Sequence, residues 1–304
     1  MRNKLCALVL SMMFAVVGVQ AKGAGAPAIE LTPQWKGKIM ELAPANPRVK
    51  PESKRTVLLF SRCTGFKHWV IPHTDVVVEA LGEKSGAFEV VQSNDIEMFS
   101  KENIRQFDGI ILNNNCSKNP ERNLFLDVLG KDKKEEAAVL EDNLINFVAE
   151  GGGLVAIHGA IVIFNNSEQF SELLGGSFAF HPAQQEVTVH LVEPDHPLVK
   201  AFEGKPFVHV DEPYLFNKAY EKKNFRPLLV MDTDKLNCGN RQEQVKSDVR
   251  YVSWIKKHGK GRVFYISPSH NAQSFENPRL LQFLLDGIQY TLGDLKCDDT
   301  PRTQ

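Results

Sequence analysis

Residues 150–160, which read EGGGLVAIHGA, constrain the fold of this chain more than any other segment. Apolar residues recur at spacings of three and four over residues 135–149, and this spacing predicts a helix. Three glycines then end the helix and turn the chain. The apolar run at 154–157 is typical of a strand covered on both faces. The segment therefore predicts a helix, a tight turn and a buried strand that ends at His158.

His158 occupies the predicted carboxyl end of this strand, and Gly159 lets the backbone turn sharply after it. Ligands of open parallel α/β sheets bind outside the carboxyl ends of the strands. The segment alone leaves two interpretations open. His158 either takes part in chemistry or is a packed histidine at a turn.

Similar apolar runs precede this segment and alternate with helical patterns. They predict strands at 56–61, 88–92 and 109–113, with a helix at 72–84. This alternation predicts an α/β fold, flavodoxin-like, with a mostly parallel sheet, right-handed crossovers and helices on both faces. Leu58, Ile111 and Val155 are expected on adjacent parallel strands. Residues 119–134 are predicted to be irregular and exposed.

The second half of the chain has shorter patterns. A helix is predicted at 167–174, an aromatic loop at 178–182, and a closing helix at 279–292. Predicted strands lie at 185–192, 207–210, 228–231, 251–255 and 262–266, with a hairpin turn at 257–261 between the last two.

The first 21 residues have the pattern of a signal peptide, with a basic start, an apolar centre and a small-x-small cleavage site. We therefore expect export, to the periplasm or the medium. The apolar run is too short for a membrane span. Residues 22–54 are predicted to be an extended lead-in with a short helix at 33–41. The domain is assigned to 55–295 and a tail to 296–304.

The composition is that of a soluble globular protein, with 42% hydrophobic and 24% charged residues. The formal net charge is −1, and no basic block indicates nucleic acid as a partner. Oligomeric state is left open. Four cysteines follow the predicted signal peptide: Cys63, Cys116, Cys238 and Cys297. They lack a C-x-x-C pair, and both bridged and free thiols are compatible with export.

Histidines supply the candidate chemistry. His68, His158, His181 and His270 follow predicted strands or lie in loops marked by glycine or proline, and Asp211 and Glu212 follow another strand. Imidazole suits a metal ligand or an acid–base group near neutral pH. We predict that these four histidines and Glu212 converge on one cleft at the carboxyl edge of the sheet. His196, between Asp195 and Pro197, is predicted to stabilise a turn. The remaining histidines are predicted to be structural or exposed: His73, His190, His209 and His258.

The position where a nucleophile elbow would place serine or cysteine holds His158 instead. No G-x-S-x-G or G-x-C-x-G sequence exists. This argues against a glutaminase or peptidase that forms an acyl-enzyme.

Taken together, these motifs resemble the ThuA-like (trehalose utilisation) proteins over about Thr56 to Leu292. The resemblance rests on 65–68, 150–158, 174–178 with His181-Pro182, 195–198, Asp211-Glu212 with Tyr214, and 254–270. It implies a class I glutamine amidotransferase-like fold and a role in disaccharide or glycoside metabolism, including 3-keto sugars. Residues 161–164 and Pro268-Ser269 depart from the family pattern.

Two hypotheses for function follow. In the first, the protein is an enzyme acting on a sugar or glycoside, with Glu212, His158 and His270 as catalytic residues. Predicted substrate-binding residues are His68, Trp69, Asp211, Tyr214 and Phe180. A divalent transition metal, zinc, is expected on His68, His158 and His181. In the second hypothesis the protein binds carbohydrate without catalysis.

Overall fold

A nine-stranded sheet runs through the structure, a computed structural model that describes residues 25–302. Its strands are β1 Thr56–Phe60, β2 Glu89–Ser93, β3 Gly109–Asn113, β4 Gly153–Ile157, β6 Gln185–Leu191, β7 Phe207–Asp211, β9 Arg226–Met231, β10 Arg250–His258 and β11 Gly261–Ile266. A second, two-stranded sheet consists of β5 Ser177–Phe180 and β8 Leu215–Asn217.

The helices flank the large sheet. They are α1 Pro33–Leu42, α2 Ile71–Ser85, α3 Leu124–Leu129, α4 Lys134–Glu150, α5 Glu168–Leu174, α6 Gln242–Lys246 and α7 Pro278–Thr291. The strand order is β2-β1-β3-β4-β11-β10-β9-β6-β7. The first five strands in this order are mutually parallel, and the remaining pairings are antiparallel.

The predicted α/β fold is confirmed at the centre of the sheet. Strands β1, β3 and β4, which carry Leu58, Ile111 and Val155, are parallel neighbours. Successive residues point to opposite faces of the sheet. Leu59, Ile111 and Val155 therefore pack with α1, α2 and α7 in one hydrophobic core, whereas Leu58 packs with α4 and α5 in the other. The central strands are covered on both faces, as their apolar runs predict.

Two segments predicted to be loops contain regular secondary structure instead. Residues 119–134 contain α3, whose Leu124 and Phe125 are fully buried. The helix begins where the Asn123 side chain accepts a hydrogen bond from Leu126 N at 3.0 Å. It is too short for a helical spacing to stand out. The predicted aromatic loop contains β5, which is a strand only because β8 pairs with it from more than thirty residues away.

The lead-in packs onto the domain. Its predicted helix is α1, which buries Trp35 and Ile39 in the core that also contains α2 and α7. Arg48 then forms an ion pair of 2.6 Å with the buried carboxylate of Asp286 on α7. The lead-in is thus attached both by apolar packing and by charge.

The predicted signal peptide lies outside the described residues. Between residues 25 and 302, no helix is long and apolar enough to cross a membrane. Cys63, Cys116, Cys238 and Cys297 are all free thiols.

Gly261 illustrates how tightly the α4–β4 turn packs against the β10–β11 hairpin. A Cβ atom at Gly261 would lie 2.0 Å from Val148 O and 2.4 Å from Gly152 O, both of them backbone atoms. The close approach is available only to a residue without a side chain.

We expect Gly261→Ala to lower the free energy of unfolding by about 1–3 kcal/mol, because the added carbon overpacks a rigid backbone contact. Gly37→Ala is the matched control, since Gly37 lies on the exposed face of α1, where a Cβ meets nothing within 4 Å. It is expected to stabilise the helix by up to about 1 kcal/mol. Urea unfolding of both variants measures the contrast, and equal effects would contradict this account of the turn.

Candidate active site

The five residues predicted to converge do meet, with the carboxylate of Glu212 at their centre. Its Oε2 lies 3.0 Å from His270 Nδ1, 3.4 Å from His158 Nε2, 3.7 Å from His181 Nε2 and 3.9 Å from His68 Nε2. We call these five residues the histidine–glutamate cluster. Four imidazoles thus surround a single carboxylate oxygen.

Strand pairing explains this convergence. Strands β4 and β11 are parallel neighbours, and Ile157 lies opposite Ile266 at their carboxyl ends. His158 directly follows β4, and the loop after β11 carries His270. Glu212 directly follows β7, and His68 lies in the loop after β1. The cluster therefore lies at the edge of the sheet where ligands of such folds bind.

The backbone at His158 is strained. Its φ is +48°, in the left-handed region that non-glycine residues avoid, at a cost on the order of 1–3 kcal/mol. Gly159 follows because a Cβ there would lie 2.7 Å from His68 Cε1 and 3.0 Å from Cys116 Sγ. The turn thus allows two histidine rings to approach each other, with ring centroids 5.1 Å apart.

One contact defines the tautomer of His158. Its Nδ1 lies 2.7 Å from the carbonyl oxygen of Ser267, which can only accept a hydrogen bond. Nδ1 therefore carries the proton, and in the neutral ring Nε2 presents a lone pair to Glu212. The ring is fully buried.

His68 is also buried, and burial lowers its pKa to about 4, although the nearby carboxylate of Glu212 opposes the shift. His68 is therefore neutral near pH 7. Its Nδ1 is 3.7 Å from Cys116 Sγ, and its Nε2 is 3.5 Å from the Tyr214 hydroxyl. Burial raises the pKa of Cys116 to about 12, so this thiol is not an ionised nucleophile.

Glu212 remains charged. Burial by itself would raise the pKa of Glu212, but the surrounding imidazoles of His158, His270 and His68 outweigh it and hold the pKa far below the usual range. An anionic carboxylate therefore persists at the centre of the cluster in a mostly buried environment.

His181 differs from the other imidazoles because a third of its side chain is exposed. Its ring stacks on Tyr214 with centroids 5.4 Å apart, and Tyr214 in turn lies 4.1 Å from the ring of His158. Phe178 packs against Tyr214 at 4.8 Å. Phe66, which is 63% exposed, lies 4.8 Å from the ring of His68. Aromatic rings therefore border the cluster on its accessible side.

The structure places three of the predicted substrate-binding residues away from this accessible side. The ring of Phe180 lies under the Arg241 guanidinium, 4.1 Å from its carbon, and Phe178 takes the position beside the cluster. Trp69 packs on the hydrophobic core and against His73. Asp211 is 2% exposed and faces the protein interior.

Asp211 holds the loop that carries His270. Its carboxylate accepts hydrogen bonds from the backbone N–H groups of Glu212 at 2.8 Å, Ser269 at 2.9 Å and His270 at 3.2 Å. Burial alone would raise the pKa of Asp211, but the His209 imidazole 3.2 Å away outweighs it and keeps the pKa below the usual value. Asp211 therefore positions two members of the cluster through the backbone.

His209 is predicted to be structural or exposed, and this prediction did not include its pairing with the Asp211 carboxylate. The two residues are two apart on β7, so their side chains share one face of the sheet. That spacing is visible in the sequence. By contrast, His196 does stabilise a turn as predicted, since its Nδ1 accepts from Leu198 N and caps a short helix.

Replacing Asp211 with asparagine should disturb the hydrogen bonds that the carboxylate accepts from the backbone, while the size and shape of the side chain stay nearly the same. The amide presents N–H groups to backbone N–H donors, so we expect a loss of about 1–3 kcal/mol in the free energy of unfolding. Asp234→Asn, on an exposed turn, is the matched control and should be near neutral. Denaturant unfolding tests the pair. A neutral Asp211→Asn would show that the carboxylate is dispensable for holding the loop.

The fold and the cluster define an α/β protein with a histidine–carboxylate site at the carboxyl edge of its sheet. A family model described as ThuA, trehalose utilisation, matches residues 56–291. The chain belongs to the ThuA family.

Solved structures agree with this assignment at the level of the fold. A ThuA-like protein from Bacteroides uniformis superposes with a TM-score of 0.59 at 19% identity, covering 82% of this chain and 94% of its own. A ThuA-like protein from Parabacteroides merdae superposes with a TM-score of 0.56 at 17% identity, and the match covers 82% of this chain and 98% of that protein. A search of curated proteins gave no match.

Proposed function

We propose that this ThuA-family protein transfers protons on a small carbohydrate, a glycoside or keto sugar, at the histidine–glutamate cluster. The observation that carries the proposal is the set of four imidazole nitrogens within 3.0–3.9 Å of Glu212 Oε2. Clustered titratable groups with perturbed pKa values are typical of catalytic sites. The family description, trehalose utilisation, supports a sugar as the ligand.

In this proposal His181 exchanges the proton with the substrate. The other three imidazoles are at most 2% exposed, whereas a third of the His181 side chain is accessible. The carboxylate of Glu212 lies 3.7 Å from His181 Nε2, close enough to orient the ring for the transfer. His270 Nδ1, which lies 3.0 Å from Glu212 Oε2, holds the carboxylate in place. Acid–base transfer of this kind fits removal of a proton next to a keto group.

A second candidate is carbohydrate binding without catalysis. The exposed ring of Phe66 favours it, because large apolar side chains at the mouth of a cleft commonly contact a ligand. Phe178, which is partly exposed, provides further aromatic surface beside His181. Both candidates use the same cleft, and they differ in whether a bond to hydrogen is broken.

Proton exchange separates the two candidates. Keto-glycosides incubated with the protein in D₂O should lose the NMR signal of the hydrogen next to the carbonyl. We expect His181→Asn to slow this loss by about 10²–10⁴-fold, the usual contribution of a general acid or base. His190→Asn is the control, since His190 is exposed on β6 outside the cluster.

Exchange that is equally fast in both variants would exclude His181 as the proton carrier. Binding of a sugar without exchange, measured by calorimetry over a panel of disaccharides, glycosides and keto-glycosides, would favour the binding module. If the panel shows no exchange and no binding, both candidates are contradicted.

We also propose that the protein is exported, on the basis of the signal-peptide pattern in residues 1–21. When the chain is expressed in a bacterium with residues 1–21 present, it should be recovered outside the cytoplasm. Its mass should be that of a chain that begins near Lys22. A matched chain lacking residues 2–21 should remain in the cytoplasm. Recovery of the full-length mass from the cytoplasm alone would contradict export.

A further inference from the structure

The centre of the cluster holds more acceptor atoms than protons. His158 Nε2 is bare because its Nδ1 donates to Ser267 O, and Glu212 Oε2 lies 3.4 Å from it. The Nδ1 of His270 lies 3.0 Å from the same oxygen and 3.3 Å from His158 Nε2. In neutral rings a single proton, on His270 Nδ1, therefore serves both acceptors.

In the part of the chain that the structure describes, no lysine or arginine forms an ion pair with Glu212. Among residues 25–302, the ion pairs of Glu212 are all with imidazoles. Glu212 is 8% exposed, and a buried carboxylate is costly unless it is paired or coordinates a metal. A cation between the acceptor atoms would remove this cost.

Three distances between the candidate donor atoms match those of a zinc site. Four donors at the usual zinc bond length of about 2.0–2.1 Å, arranged as a tetrahedron, lie about 3.3 Å from one another. Three separations among His158 Nε2, His270 Nδ1 and Glu212 Oε2 are 3.0, 3.3 and 3.4 Å. His68 Nε2 lies farther out, 3.9 Å from Glu212 Oε2, and the four residues offer donor atoms that all lie within 4.8 Å of one another.

We propose that His68, His158, His270 and Glu212 bind a divalent first-row transition-metal ion. The donors are His68 Nε2, His158 Nε2, His270 Nδ1 and Glu212 Oε2. Three imidazoles with one carboxylate suit zinc and its neighbours, whereas calcium takes oxygen ligands. This set replaces the one expected from the sequence: His270 and Glu212 take part, and His181 stays outside, on the accessible side.

Contacts behind the ligands support this assignment. Ser267 O orients His158, as backbone carbonyls commonly do for metal-bound histidines. Cys116 Sγ lies 3.7 Å behind His68 Nδ1, where it can accept the proton of that nitrogen. The amide nitrogen of Gln184 donates to His270 Nε2 at 2.8 Å, so without a metal ion the His270 proton is on Nδ1, and metal binding there would displace it. The Tyr214 hydroxyl, at 3.5 Å, is too distant to occupy the Nε2 lone pair of His68 firmly. Each ring therefore already directs a nitrogen toward the centre.

The test uses the full chain without its signal peptide, treated with chelator, dialysed and titrated with Zn²⁺ at neutral pH by calorimetry. We expect one zinc per chain, a melting temperature that rises with zinc concentration, and no binding of Ca²⁺. Substitution with Co²⁺ should give the intense visible absorption of a four-coordinate ion. His158→Asn and Glu212→Gln should weaken zinc binding by at least about 100-fold, more than loss of an outer contact does.

The controls are His190→Asn and Glu186→Gln, which alter exposed residues of β6 and should bind zinc like the unmodified chain. Folded protein that takes up no zinc would overturn the proposal, as would site variants that bind as tightly as the controls. Circular dichroism identifies any variant that fails to fold, and His68→Gln then replaces it. The readout needs no sugar, so a failure of the carbohydrate proposal leaves this result unaffected.

Discussion

The buried negative charge of Glu212 is the constraint on which the site depends. A carboxylate with 8% exposure is stable only because imidazoles from four separate loops approach it. Those loops follow β1, β4, β5 and β11, so both sheets contribute imidazoles around this charge.

Two features of the backbone make this approach possible. The left-handed turn at His158 followed by Gly159 lets the rings of His68 and His158 meet at the end of β4. Asp211 holds the loop after β11 by accepting hydrogen bonds from the N–H groups of Ser269 and His270. The departure from the family pattern at Pro268-Ser269 thus lies in the loop that Asp211 fixes. The other departure, residues 161–164, is buried in the core behind the site.

Sequence reasoning succeeded where a physical signal is local. The apolar runs of β1, β3 and β4 indicate burial on both faces, and glycine next to such a run marks the strand ends where His158 lies. It failed where structure depends on distant partners. The strand β5 exists because of β8, and the six-residue helix α3 is stabilised by burying Leu124 and Phe125. Neither contact leaves a periodic pattern in the segment itself.

The amino-acid sequence by itself determined the α/β class, the family, and the four histidines and one glutamate that meet at the sheet edge. It could do so because apolar runs indicate where strands end, and glycine or proline indicates the loops that follow them. Only the tertiary structure decided how these residues are used. The contact of His158 with Ser267 O defines the tautomer of that ring. The exposure of His181 distinguishes it from the three buried imidazoles. The carboxylate of Asp211 points into the protein, where it accepts hydrogen bonds from the backbone. Each of these depends on distances between residues far apart in the chain, which no spacing along the sequence encodes.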